Sequence, residues 1–179
     1  MNKKDIFFAA ICGLAVALIV IDFLNTHGWL FFIILPLLSV VGLLLCDIIG
    51  KKFLFVSQAG KFALVGAFAD VVDIKAFQLL FWLAPFSIFF KGISFLVATA
   101  IKYLANKHWA FEKHEGGQVA QFFIVTLVGL AIDILAFYFL SKISTGITSK
   151  LWVELSIILS ALITAVWNFL GYKFLVFKK

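Results

Sequence analysis

Asp70, Asp73, Lys102 and Asp133 each interrupt a long apolar run, and Trp167 and Asn168 sit together in another. Carboxylates and an amide exchange hydrogen bonds with hydroxyl groups, an indole offers a flat apolar face, and an ammonium binds anions as a point charge. The spacing groups these residues. Gly66, Asp70, Asp73 and Phe77 follow i, i+4, i+7 and i+11, which places them on one stripe of a helix. Ala98, Lys102, Ala105 and Trp109 form a second stripe, and Thr164, Trp167, Asn168 and Gly171 a third. Lys75, two residues beyond Asp73, falls on a different face and is expected to snorkel toward an interface. No phosphate loop, nucleophile elbow or metal-ligand spacing occurs, and Cys12 and Cys46 lie singly inside apolar runs. The arrangement reads as a binding site without cofactor or metal, not as the active site of an enzyme.

The elements that carry these stripes are set by composition. The 179 residues are 64% hydrophobic and 13% charged, with mean hydropathy +1.15, far more apolar than a soluble domain. Six runs approach the about 20 apolar residues needed to cross a hydrocarbon core of about 30 Å. They are Ile6–Leu24, Trp29–Ile49, Lys61–Leu83, Gly92–Phe111, Gln121–Leu140 and Leu151–Tyr172. The first run continues past the length of a signal-peptide core, so it reads as a span. All 15 basic residues are Lys. Without Arg for bidentate contacts and without a separate basic segment, nucleic acid is excluded as a partner. Ten lysines fall on the side of the N-terminus and three, Lys91, Lys142 and Lys150, on the other. That bias predicts an all-α, six-span protein with both termini cytoplasmic.

A charge inside a span costs at least about 2.5–3.5 kcal/mol and marks a functional candidate. Counting from Lys61, Asp70 lies ~14 Å and Asp73 ~18 Å deep; Asp133 lies ~18 Å from Gln121. Lys102 and Asn168 each stand five residues before a Lys, Lys107 and Lys173.

The chain also repeats itself. A shift of 60 residues lays Lys61–Leu80 over Gln121–Leu140, matching Phe62 to Phe122, Val65 to Val125 and Asp73 to Asp133. A shift of 66 matches Ser94 to Ser160, Lys107 to Lys173, Phe111 to Phe177 and Lys113 to Lys179. Each copy is a two-helix hairpin of the same orientation, so the expectation is a parallel repeat about an axis along the membrane normal. The predicted organisation is an N-terminal two-helix addition, 1–52, and a four-helix core, 53–179, with repeat units 61–113 and 121–179.

Residues 61–179 resemble the GtrA-like family of small bacterial membrane proteins of cell-surface polysaccharide synthesis. The resemblance is carried by Lys61-Phe-Ala-Leu-Val-Gly66 with Asp70 and Asp73, by Asn106-Lys-His-Trp-Ala-Phe111, and by Asn168-Phe-Leu-Gly-Tyr-Lys-Phe-Leu-Val-Phe177. It implies movement of a polyprenyl-phosphate-linked sugar from the cytoplasmic to the outer leaflet of the bacterial cytoplasmic membrane. In that reading Lys102, Lys107 and Lys173 meet the phosphate. Asp70, Asp73, Asp133 and Asn168 bond sugar hydroxyls, and Trp167 stacks on the ring. A membrane glycosyltransferase and a homo-oligomer are the partners it suggests. Two positions depart from the pattern: Asp70 stands where Asn is expected, and Lys102 takes the place that Asn168 holds in the second repeat. Two other readings stay open, a proton-coupled exporter using Asp73 or Asp133, and a non-transporting subunit that scaffolds a glycosyltransferase. Lys102 with Asp70 or Asp73 could equally be a structural ion pair.

Overall fold

The computed structural model describes residues 1–24, 28–83, 87–112, 118–143 and 149–177. Among these residues there are six α-helices and no strand. They are α1 (Lys3–Leu24), α2 (Phe31–Gly50), α3 (Leu54–Leu83), α4 (Ser87–Ala105), α5 (Val119–Ser141) and α6 (Ser149–Gly171). A helix satisfies every backbone polar group within its own segment, which is why apolar runs of this length take no other form in lipid. Among the described residues four segments are long and apolar enough to cross a membrane by length and composition, Lys3–Asp22, Gly28–Gly50, Val119–Leu140 and Ile158–Val176; of the six runs expected to span, Lys61–Leu83 and Gly92–Phe111 are not among them. The flanks of these helices expose large apolar side chains such as Leu37, Leu38, Ile48, Leu127, Ile134 and Phe139. The chain is a multi-pass membrane protein.

The helix positions follow the apolar runs, with two differences: α4 begins at Ser87 instead of Gly92 and takes in Lys91, and α3 begins early. The sequence places the start of the third span at Lys61, whereas α3 begins at Leu54. Ser57 and Gln58 look like a polar break, but the Ser57 hydroxyl donates to the Asp47 carboxylate at the end of α2. A polar side chain with a partner does not need to leave the helix. Asp47, expected at a solvated helix end, is thereby only 15% exposed.

α4 and α6 each end in a π turn, Asn106–Ala110 and Tyr172–Val176. The two turns begin 66 residues apart. In each, the residue after the turn closes an i+5 bond: Phe111 N–H donates to Asn106 O at 2.9 Å, and Phe177 N–H to Tyr172 O at 2.7 Å. Phe111 and Phe177 are both buried.

The chain forms two compact units, Met1–Glu112 and Lys113–Lys179. In the first, α1 packs on α2 and α3, α2 on α3, and α3 on α4. Its core joins Ala9 and Cys12 of α1, Leu43 of α2, Val65 of α3 and Trp109 of the first π turn. The α1–α2 crossing is tight at Gly13, where a Cβ would come within 2.5 Å of the Pro36 Cα. A small residue at the crossing lets the two backbones approach. The second unit is the α5–α6 hairpin with its terminal π turn. Phe122 and Tyr172 are fully buried there and stack with centroids 4.4 Å apart. The Tyr172 hydroxyl lies 2.7 Å from Thr126 Oγ1.

Candidate functional site

The candidate residues fall into two sets, one in each unit. In the first unit Asp73, half-buried on α3, accepts a hydrogen bond from the Ser94 hydroxyl of α4 at 2.6 Å. Asp70, one turn earlier, is exposed, and Lys102 stands on α4. The ammonium of Lys102 is carried on a half-buried side chain. One turn further along α4, Asn106 is fully buried and its amide donates to the Lys102 carbonyl at 2.9 Å. The Asn106 Oδ1 has no hydrogen-bond partner. Lys107 follows in the π turn, half-buried.

In the second unit Asp133, half-buried on α5, accepts from the Thr164 hydroxyl of α6 at 3.4 Å. Both hairpins therefore place an aspartate of the first helix against a hydroxyl of the second. The donors differ by one helical turn, because the counterpart of Ser94 is Ser160 and Thr164 lies four residues beyond it. Asn168 occupies the place of Lys102 and is 7% exposed. Its amide lies against Gly129, where any Cβ would run into it. Asn168 Oδ1 is buried without a hydrogen-bond partner. Trp167 is 36% exposed, but its indole N–H is engaged, donating to the Val125 carbonyl at 3.1 Å. Only the ring of Trp167 is left to meet a ligand. The Lys173 ammonium lies 5.7 Å from the ring centroids of Phe169 and of Phe174, within reach of a cation–π attraction.

One polar network of the first unit escapes a reading by periodicity. Asp5, only 5% exposed, accepts from Trp109 Nε1 at 2.9 Å and pairs with the Lys61 ammonium at 3.0 Å. Lys61, 6% exposed, also bonds Glu112 at 2.8 Å. By sequence Lys61 counts toward the lysine bias and Trp109 ends the stripe of Lys102. In the structure both are buried partners of one carboxylate. One signal was present: Asn2-Lys-Lys-Asp5 has the spacing of a capping box. The box forms, with Asp5 N–H donating to Asn2 Oδ1 at 2.8 Å and Asn2 N–H to Asp5 Oδ2 at 3.1 Å. Lys75 pairs with Asp22 of α1. Among the described residues no three His, Cys, Asp or Glu side chains converge in a way that could hold a metal ion.

A family model described as GtrA/DPMS, transmembrane domain, matches residues 61–177. No curated protein and no solved structure matches the chain.

Proposed function

The chain belongs to the GtrA/DPMS transmembrane-domain family, and from that premise we propose that it carries a polyprenyl-phosphate-linked sugar from the cytoplasmic to the outer leaflet. The observation that carries this reading is the make-up of the two hairpins. Each sets an aspartate inside a membrane helix against a hydroxyl of its neighbour, Asp73 with Ser94 and Asp133 with Thr164. Lys102 adds a cation on α4 of the first hairpin. A substrate with an anionic phosphate and several hydroxyls meets both kinds of group. Lys102, Lys107 and Lys173 take the phosphate; Asp70, Asp73, Asp133 and Asn168 take hydroxyls; the Trp167 ring takes a face of the sugar. The polyprenyl tail stays in lipid throughout and needs only a lateral opening. Energetically, the site lowers the cost of drawing a polar headgroup into the membrane by supplying partners already placed there.

The hairpins act as a parallel repeat, and the two π turns 66 residues apart support that reading. In this account both termini are cytoplasmic, the membrane is the bacterial cytoplasmic one, and the four-helix core 53–179 carries the 1–52 helices as an addition. A membrane glycosyltransferase supplies or consumes the lipid-linked sugar, and copies of the chain assemble as a homo-oligomer. The reading also explains the cation. An exporter that exchanges protons for a cationic substrate uses a lone acid, and a lysine on the same hairpin opposes the binding of cations.

The test is leaflet transfer in vesicles of purified protein loaded with a fluorescent polyprenyl-phosphate sugar on one side. Wild-type vesicles should deliver lipid to the opposite leaflet faster than protein-free vesicles. Asp73→Asn and Asp133→Asn should each slow it. Transfer no faster than in protein-free vesicles would contradict the function.

A further inference from the structure

We propose that Asp5, which lies outside the family-matched segment, is a positioning residue that sets the π turn Asn106–Ala110 and with it Lys107. The inference uses the transport reading above only for one of its two measurements. Trp109 and Lys107 share that five-residue turn. A π turn departs from the regular helix ladder, and such turns recur at functional sites. Something must hold this one in register. Packing supplies part of the answer, since Trp109 lies near Phe8 of α1, with centroids 5.3 Å apart. Packing is incomplete, however. Trp109, Phe8, Cys12, Val65, Phe68 and Ala105 border an apolar cavity of about 120 Å³, space in which an indole could shift.

The hydrogen bond from Trp109 Nε1 to Asp5 Oδ1 removes that freedom. Asp5 is in turn held by two partners. The same oxygen takes the Lys61 ammonium of α3, and its other oxygen takes the Asn2 N–H of the capping box. Lys61 closes the circuit on Glu112, the second residue beyond the π turn. Glu112 sits at φ 51°, a left-handed backbone that a non-glycine residue rarely adopts. The chain thus accepts strain where the hairpin ends, and the Lys61–Glu112 bond is made at that point. One carboxylate from α1 therefore ties the start of α3 to the end of α4. Lys61, with Asp5 and Glu112 both on its ammonium, belongs to this clamp and not to the phosphate site.

The experiment compares wild type with Asp5→Ala and Asp5→Asn in lipid nanodiscs, by hydrogen exchange and by lipid transfer. Loss of a charge-assisted bond should speed exchange across 106–112 by roughly tenfold in Asp5→Ala. Asp5→Asn keeps an acceptor for the indole and should fall between the two, while exchange in 119–177 stays at the wild-type rate and shows that the second unit remains folded. In transfer, Asp5→Ala should raise the half-saturating lipid concentration by roughly tenfold with the maximal rate nearly unchanged. Wild-type exchange at 106–112 in Asp5→Ala would overturn the proposal. So would a lower maximal rate at unchanged half-saturation, the mark of a merely structural loss. If wild type itself moves no lipid, the transport reading fails, and the exchange comparison still decides the positioning role.

Discussion

The α3–α4 hairpin and the α5–α6 hairpin share a register but solve the problem of polar groups in lipid differently. The first uses charges and compensates them: Lys61 with Asp5 and Glu112, and Lys75 with Asp22. The second replaces charge by neutral groups at the matching places. Gln121 stands for Lys61 and Asn168 for Lys102, and each leaves a buried oxygen without a hydrogen bond. A charge buried without a partner is costly, whereas an amide tolerates an unpaired oxygen at smaller cost. At these two places the first hairpin carries a cation and the second an amide, while Asp133 and Lys173 keep the charges of Asp73 and Lys107.

Exchanging one side chain at matched positions breaks the comparison most sharply. Lys61→Met leaves Asp5 buried without its cation and should cost about 3–5 kcal/mol in reversible unfolding from detergent micelles. Gln121→Met at the equivalent place in the second hairpin removes an oxygen that has no partner. It should be neutral or slightly stabilising. Equal losses in the two variants would erase the distinction between the two places.

Smaller effects sharpen it. Ser94→Ala deletes the 2.6 Å bond to Asp73 and should cost about 1–2 kcal/mol, the upper end for hydrogen bonds between membrane helices. Thr164→Val deletes the longer 3.4 Å bond to Asp133 and should cost less in the same unfolding titration. A larger loss for Thr164→Val would mean that Asp133, not Asp73, is the more tightly held acid. Tyr172→Phe should have the smallest effect, about 0.5–1 kcal/mol. The ring stays stacked on Phe122, and only the Thr126 contact is lost. A loss as large as that of Lys61→Met would show that the second hairpin depends on this hydroxyl.

What the sequence made legible follows from how each feature is encoded. Apolar length is written residue by residue, so the six helices lie where the runs of Leu, Ile, Val and Phe put them. The family likeness over 61–179, which the matched segment 61–177 bears out, rested on local strings such as Lys61–Gly66. The Asp5 network was not legible because its partners are remote: Asp5 is 56 residues from Lys61 and 104 from Trp109, and no periodicity links an acid near one helix start to an indole beyond another helix end. The π turns were hidden for another reason. An i+5 bond is chosen by packing around Asn106 and Tyr172, while the local composition there reads as ordinary helix. Ser94 and Thr164 stood in the open, Ser94 as a repeat match and Thr164 on a stripe. Their role as donors to Asp73 and Asp133 needed the pairing of helices within each hairpin.

The central claim is that Lys102 receives the lipid phosphate, and binding measures it most directly. Purified wild type, Lys102→Met and Lys142→Met would be titrated with a short-chain polyprenyl phosphate in nanodiscs of uncharged lipid. Methionine keeps the length and apolar bulk of lysine while removing its charge. Lys142, exposed and bonded to Tyr138, serves as the control. The account predicts that Lys102→Met weakens binding by at least about tenfold, the value of one charge-assisted contact, while Lys142→Met binds as wild type does. Equal affinity in all three proteins would contradict it.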